Sequence, residues 1–190
     1  TILQAFLGRP DDTPAGDAFE RRLYVCRRTI EKKADAEFAL RDKIFYVCSM
    51  SSRTIVYKGM LVATQMRRFF IDLNDAAVKT AVALVHSRYS TNTTPSWERA
   101  HPNRFIIHNG EINTLKGNVN WIRAREPNLY SPVLQHDLER VMPIINREGS
   151  DSAILDNVLE FLVMNGRPLT RAASMLLPEP WDHNDSLSEE

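Results

Sequence analysis

Three groups of polar residues in this sequence carry the side chains needed to hold a small charged molecule. Arg88 follows one apolar run, Asn109-Gly110 follows a second, and Asp151 opens a helical pattern. The planar guanidinium of Arg88 suits a carboxylate, which it can hold through two parallel hydrogen bonds. Asp151 suits an ammonium group, because the dipole of a helix favours an ionised carboxylate in the first turn.

Asn109 and Gly110 offer a second kind of chemistry. The Asn side chain carries an NH2 donor, and glycine lets its backbone N–H approach a ligand without a Cβ in the way. Two such donors can stabilise the oxyanion of a tetrahedral acyl-transfer intermediate. A carboxylate site, an ammonium site and an oxyanion hole together describe an α-amino acid with an acyl group in its side chain. Glutamine fits that description.

Each group also has a purely structural interpretation. An Arg at the end of a buried strand can be neutralised by an internal salt bridge, since an unpaired buried charge is costly. Asn-Gly is a common turn sequence, and an Asp at the start of a helix can act as its cap. The five histidines lack metal-ligand spacing and are interpreted as structural, so no metal site is predicted. The sequence has no G-x-G-x-x-G or Walker pattern.

The strands that would position these groups are predicted from hydrophobic patterning. Apolar runs at 79–85 and 104–107 are typical of buried central strands, and both end in polar residues at the same relative place. Strands that end together bring functional groups to one rim of a sheet. The β-branched and aromatic residues of 43–49 and 54–57 predict a hairpin.

Helices are predicted from apolar residues at helical spacing. Residues 18–33 are expected to form a surface helix that starts at an Asp17–Glu20 capping box and buries Cys26. The clearest helix opens at Gly149-Ser150-Asp151 and stops at Asn165-Gly166. The other predicted helices lie at 60–70, 114–125, 136–145 with an interruption at Pro143, and 169–177.

Composition limits the class of protein. The chain has 190 residues, of which 43% are hydrophobic and 25% charged, as expected for one globular domain. The 24 basic and 24 acidic residues balance, which argues against nucleic-acid binding. No apolar run approaches the roughly 20 residues of a membrane span. No secretory signal is visible, so a cytoplasmic location is expected. Cys26 and Cys48 are too few for a disulfide framework, and both are expected in the core.

The motifs resemble those of the class II glutamine amidotransferases, and in particular the amidotransferase domain of glutamate synthases. The resemblance is carried by HSRYSTNTTPSW at 86–97, RFIIHNGEINTLKGNVNWIRARE at 104–126 and EGSDSAILDNVLEFL at 148–162. The H-x-R-x-x-T and HNG elements are shared across the class, whereas the long continuation is specific to glutamate synthases. Residues 8–25 and 55–61 also resemble that group, so the resemblance covers essentially the whole chain.

The resemblance implies a role for each candidate residue. Arg88 would bind the α-carboxylate of L-glutamine, with Thr91 nearby. Asn109 and Gly110 would be the catalytic oxyanion hole, and Asp151 would bind the α-ammonium group. The stretch that contains Thr91, 89–97 in the sequence, would close over bound glutamine and exclude water.

The implied fold is α+β, the αββα four-layer sandwich of the N-terminal-nucleophile enzymes, in which two antiparallel sheets lie between helix layers. Residues 1–190 would be the C-terminal portion of a glutamine amidotransferase type 2 domain, with its first strands missing. The nucleophile of the family is an N-terminal Cys, whose free α-amine acts as the base. Thr1 is not assigned this role, because TILQAFLGRP resembles an interior segment. The chain alone is therefore expected to be inactive.

The implied reaction releases ammonia from L-glutamine through a γ-glutamyl thioester. The remaining synthase domains of the same polypeptide would use that ammonia to convert 2-oxoglutarate to L-glutamate. FMN and an iron–sulfur cluster are implied in those domains, and a small electron-transfer subunit is a further implied partner. No cofactor site is predicted within these residues. Two alternatives stay open: a catalytically inactive glutamine-binding or regulatory module, and another class II amidotransferase, such as one that makes asparagine or an amino sugar.

Overall fold

The computed structural model describes residues 2–38, 45–88 and 94–178. Six helices follow in chain order: α1 (Asp17–Phe38), α2 (Met66–Phe69), α3 (Leu115–Arg125), α4 (Leu138–Val141), α5 (Asp151–Met164) and α6 (Leu169–Leu176). Short 3-10 turns lie at Ala63–Gln65, Ile71–Asn74, Glu126–Asn128 and Gln135–Asp137. Within these described ranges no residue belongs to a β-strand.

Helix α5 lies at the centre of the core, and its prediction is confirmed. The Ser150 side chain caps it by accepting a hydrogen bond from the Ala153 N–H at 3.3 Å. Gly166 ends it with a φ of 86°, which a glycine adopts without strain. Val158 and Phe161 are almost fully buried, and α1, α3 and α6 all pack against this helix.

Among the described residues, the core is a cluster of apolar side chains around α5. It includes Val141 of α4 and Ala172 of α6, both 0% exposed. Full burial of a Val or Leu side chain contributes about 1.5–3 kcal/mol. Helix α3 adds three partly buried residues that pack against this cluster: Leu115, Val119 and Ile122. The prediction of this helix is therefore confirmed.

Helix α1 is longer than predicted and buries a different face. Cys26 is exposed, so the prediction that it lies on the buried side is wrong. The buried residues of α1 are Glu20, Leu23, Tyr24, Val25 and Arg27. This face is favoured although it is partly charged, because Arg27 donates to Glu160 of α5 at 2.5 Å. A charge with such a partner can be buried.

The predicted Asp17–Glu20 capping box does not form. The Glu20 carboxylate accepts hydrogen bonds from the Ser51 hydroxyl at 2.7 Å and from the Ser52 N–H at 2.8 Å. The Asp17 carboxylate accepts one from the Arg53 guanidinium at 2.7 Å. Both carboxylates therefore hold the turn that follows the predicted first strand, and neither serves its own helix in the predicted way.

The other helix predictions are confirmed in part. Within 60–70 the regular helix is only the short α2, preceded by a 3-10 turn. Helix α4 ends at Val141, before Pro143, where the interruption was predicted. Helix α6 covers all but the last residue of the predicted 169–177.

The predicted strands are absent from the described residues. The segments concerned are 45–49, 54–57, 79–85 and 104–107. Residues 43 and 44 of the first prediction lie outside the described residues. Val82 and Val85 are 73% and 79% exposed, whereas a central strand requires burial. A strand also needs a neighbour that pairs with its N–H and C=O groups, and the described chain offers these segments none. The αββα sandwich therefore stays a prediction.

Across the three described ranges, no helix has both the length and the apolar content needed to cross a membrane.

Candidate functional site

Arg88 lies on the surface beside a pair of histidines. Its backbone N–H donates to Nδ1 of His86 at 3.2 Å, and the His86 ring centroid lies 4.6 Å from that of His101. The Arg88 side chain is exposed. It forms no ion pair with any residue in the described part of the chain, so the predicted alternative of an internal salt bridge is not seen there.

His101 connects the segment of Arg88 with that of Asn109. Burial, followed by the charges of His86, Lys58 and His108, lowers the pKa of His101 to about 4. His86 and His108 precede the two predicted site segments in sequence, and both act on the same ring. Among the described residues, no group of three or more His, Cys, Asp or Glu side chains is arranged to hold a metal ion.

Asn109 and Gly110 form an exposed tip between two anchored residues. Gly110 has a φ of 137°, a backbone conformation that would be strained in any residue with a side chain. A Cβ built there would lie 3.7 Å from Cε1 of His108. On one side of the tip, Ile106 packs against the core. On the other side, Ile112 belongs to the core and is 8% exposed. The tip is therefore held at both ends, and both of its residues are exposed.

Asp156 of α5 anchors the segment before this tip. Its Oδ1 accepts hydrogen bonds from the N–H groups of Phe105 at 2.8 Å and Ile106 at 3.0 Å, and its Oδ2 accepts one from the Arg104 N–H at 3.1 Å. Asp156 is only 1% exposed. Burial and then the charge of Glu160 raise the pKa of Asp156 to about 6, against the opposing effect of these amides.

A buried ion network continues from this anchor into α1. The Arg104 guanidinium donates to Glu31 at 3.0 Å and to the carbonyl oxygen of Val47. Glu31 also accepts from Arg27 at 2.9 Å, and Arg27 donates to Glu160. The network joins α1, α5 and the segment that leads to Asn109.

Asp151 is exposed at the first position of α5. The predicted alternative role, helix capping, belongs to Ser150, whose side chain accepts from the N-terminal turn. The segment before Asp151 is fixed by two contacts. Asn157 Oδ1 accepts the Asn146 N–H at 3.0 Å, and the Arg99 guanidinium donates to the Glu148 carbonyl at 3.0 Å.

Thr91 lies outside the described residues, as does the stretch 89–93 of the predicted closing loop. The described end of this loop packs closely against Gly59. A Cβ added to Gly59 would lie only 2.4 Å from the Trp97 ring. Lys58 is 2% exposed and donates to the Glu98 carbonyl at 3.1 Å. Burial lowers the pKa of Lys58 to about 8.

These contacts bring the predicted site segments together. The Arg88 segment meets the 101–108 segment at the histidine pair, Asp156 joins 104–106 to α5, and α5 carries Asp151. Within the described part of the chain, no hydrogen bond or ion pair links the side chains of Arg88, Asn109 and Asp151 to one another. All three remain exposed to a ligand.

Asp156 and Arg104 also shape this site, and neither was predicted from the sequence. A signal for Asp156 was present, because it lies between Leu155 and Val158 in the apolar part of α5. An acid on the buried side of a helix must find donors. Which donors it finds depends on a segment about fifty residues earlier, and no local pattern reveals that.

The cysteines do not fit the implied iron–sulfur cluster. Cys26 is exposed on α1 and Cys48 is half-buried, contrary to the core position predicted for both. The sequence has two cysteines, and a cluster of this kind is generally held by four thiolates.

Comparison with known proteins gives one family over the full chain. The family model "Glutamine amidotransferases class-II" matches residues 1–190. The NADPH glutamate synthase large chain of Bacillus subtilis is 51% identical over 189 residues, which is 100% of this chain and 12% of that protein. The NADH glutamate synthase of Schizosaccharomyces pombe is 47% identical over 92% of this chain and 8% of its own length.

A third relative uses a different electron donor by name. The chloroplastic ferredoxin-dependent glutamate synthase of Oryza sativa subsp. japonica is 44% identical over 90% of this chain and 10% of its own length. The chain thus spans 8–12% of these three relatives.

Proposed function

We propose, from the premise that this chain belongs to the class II glutamine amidotransferase family, that it holds L-glutamine while ammonia is released from the side-chain amide. Arg88 binds the α-carboxylate, with Thr91 nearby, and Asp151 binds the α-ammonium group. Asn109 and Gly110 donate to the oxyanion of the tetrahedral intermediate.

One observation carries the proposal. Arg88, Asn109 and Asp151 are exposed, and the competing structural roles of Arg88 and Asp151 are not taken up in the described residues. Arg88 has no internal ion pair there, and Ser150 caps the helix that Asp151 begins. Side chains with complementary chemistry and no internal partner are what a zwitterionic ligand requires.

The proposal includes a longer protein around this segment. The relatives are about eight to twelve times longer than the matched region, and their names differ in the electron donor. The donor, FMN and an iron–sulfur cluster are therefore assigned to other domains, which convert 2-oxoglutarate to L-glutamate. A small electron-transfer subunit and a cytoplasmic location are further parts of the proposal. In that longer protein the segment completes the αββα sandwich, and an N-terminal Cys supplies the nucleophile.

The test is Arg88→Lys in the longer protein. A lysine keeps the charge but loses the two-pronged fork that matches a carboxylate. We expect the KM for glutamine to rise and glutamine-dependent glutamate formation to fall, while ammonia-dependent formation is unchanged. Arg68→Lys is the matched control, because Arg68 is exposed on α2, outside the proposed site.

Equal loss of both activities would count against the carboxylate role of Arg88. Glutamine binding without any ammonia release by the longer protein would favour the inactive binding module instead. The alternative of another class II amidotransferase has less support, because the three relatives compared are all named glutamate synthases.

A further inference from the structure

We propose that Asp156 is a positioning residue for the oxyanion donors, a role that rests on the proposed glutaminase function. Its carboxylate receives three consecutive backbone N–H groups, those of Arg104, Phe105 and Ile106, at 2.8–3.1 Å. The Asn103 N–H also donates to the Ile106 carbonyl at 3.0 Å, so the backbone closes around the carboxylate.

The anchored backbone lies directly before the proposed donors. Only two residues separate Ile106 from Asn109, so the anchor is within roughly 10 Å of the donor along the chain. The far side of the tip is fixed by the buried Ile112. With both ends held, the location of the Asn109 side chain and the Gly110 N–H depends on where Asp156 holds the first end.

The chemistry of the anchor requires a carboxylate. Three N–H donors need acceptors on both oxygens, and only an ionised carboxylate presents acceptors alone on each. An asparagine would keep one acceptor oxygen and turn an NH2 group toward the remaining donor. The backbone at 104–106 would then shift, and an oxyanion donor must lie within roughly 2.7–3.1 Å of the developing charge to act.

Helix α5 thereby serves both halves of the site. Its first residue, Asp151, is proposed to hold the α-ammonium group, and Asp156 lies five residues later on the same rigid element. The axial distance between the two positions is about 7.5 Å at the rise of an α-helix. The grip on the substrate and the placement of the oxyanion donors therefore share one support.

The experiment is Asp156→Asn in the longer protein. We expect the glutaminase kcat to fall roughly 10- to 100-fold, the size of effect produced by misplacing a catalytic group by about 1 Å. The KM for glutamine should stay within about threefold, because the groups that bind the α-carboxylate and α-ammonium are untouched. Ammonia-dependent glutamate formation should be unchanged.

Glu160→Gln is the matched control. Glu160 lies one turn further along α5, belongs to the same buried network through Arg27 and makes no bond to residues 104–106. A purely structural role for Asp156 would give the two variants the same loss of kcat at the same loss of melting temperature. A larger loss of kcat for Asp156→Asn supports positioning, and equal losses overturn it.

A second readout reports on the oxyanion donors themselves. The γ-aldehyde analogue of glutamine forms a tetrahedral adduct with the nucleophile, whereas the product glutamate does not. Asp156→Asn should weaken binding of the aldehyde by the same factor by which it lowers kcat/KM for glutamine. It should leave glutamate binding unchanged. If the affinities for the aldehyde and for glutamate fall equally, the proposal is overturned.

The outcomes separate this proposal from the function on which it rests. If Asn109→Ala leaves glutaminase activity intact, the oxyanion assignment itself fails. If Asn109→Ala lowers activity and Asp156→Asn behaves like Glu160→Gln, only the positioning role fails. Should Asp156→Asn not fold, hydrogen exchange of the wild type decides: slow exchange of the three amides at 104–106 supports the anchor, and exchange as fast as in an exposed loop overturns it.

Discussion

At the scale of single residues, the most specific chemical prediction concerns Asn109, in the exposed tip that it forms with Gly110. Asn109→Ala removes one of the two proposed oxyanion donors while leaving the anchored backbone intact. We expect the glutaminase kcat of the longer protein to fall roughly 10²–10³-fold. Asn128→Ala is the control, since Asn128 is exposed in a 3-10 turn and has no proposed role. A near-normal rate for Asn109→Ala would return Asn-Gly to the turn interpretation.

The raised pKa of Asp156 predicts how the stability of the fold depends on pH. Burial, followed by the charge of Glu160, raises its pKa from 3.8 to about 6. Because the folded pKa exceeds the unfolded one, the free energy of unfolding is highest below about pH 4. It falls as pH rises through about 6, where the carboxyl ionises into the form that accepts the three amides. A rise of this size corresponds to about 3 kcal/mol.

Amide hydrogen exchange in α5 measures this effect as the free energy of local opening. Between about pH 4 and about pH 7, the wild type should lose stability relative to Asp156→Asn, which cannot titrate at this position. If the stability of the wild type relative to Asp156→Asn instead increases with pH, the raised pKa of Asp156 is contradicted. Such an increase would mean that the three amide donors outweigh burial and lower the pKa.

At the scale of elements, the contact between α1 and α5 depends on a buried ion pair. Arg27 is 2% exposed and bonds to both Glu31 and Glu160. Arg27→Met leaves Glu160 without its ion-pair partner, whereas Glu31 keeps Arg28 and Arg104. Breaking a buried pair by removing one partner costs about 3–5 kcal/mol. We expect the opening free energy of α1, measured by hydrogen exchange, to fall by about that amount.

The Arg22→Met variant tests whether the burial of Arg27 causes this fall in the opening free energy of α1. Arg22 lies on the same helix with its side chain 56% exposed, and it pairs with Asp12 at 3.4 Å. An exposed pair contributes about 0–1 kcal/mol, so this variant should change the opening free energy little. Similar effects of Arg27→Met and Arg22→Met would show that the buried network does not hold α1 to α5.

The same elements show what the sequence could predict. Helix α5 was predictable because its cap, its apolar stripe and its terminal glycine are all local signals. The buried face of α1 was not, because Glu20 and Arg27 are buried only through partners far along the chain. The strand segments have the right composition, but a ladder depends on neighbours that hydrophobic patterning does not identify.

The candidate site divides in the same way. Arg88, Asn109, Gly110 and Asp151 were predicted from residue chemistry and family resemblance, and the described ones are exposed as a ligand site requires. Their support was not predicted. Asp156 reads as one more residue of a helix until its three amide partners are seen in the structure.

At the scale of the whole molecule, the family resemblance assigns the nucleophile to an N-terminal Cys that this sequence does not contain at position 1. Cys26 lies within α1, and Cys48 is half-buried with its pKa raised by burial, so neither has the free α-amine that the family uses as its base. The purified 190-residue chain should therefore release no ammonia from glutamine. Turnover that is abolished by Thr1→Ala would contradict this expectation.

The central claim, that Arg88 and Asp151 grip the two charged groups of glutamine, is tested most directly with two truncated substrates. 4-Aminobutanamide lacks the α-carboxylate of glutamine, and glutaramate lacks its α-ammonium group. The longer wild-type protein should have a much lower kcat/KM for both than for glutamine. Arg88→Ala should abolish the penalty for the missing carboxylate only, and Asp151→Ala the penalty for the missing ammonium only. Penalties that persist unchanged in both variants would contradict the account.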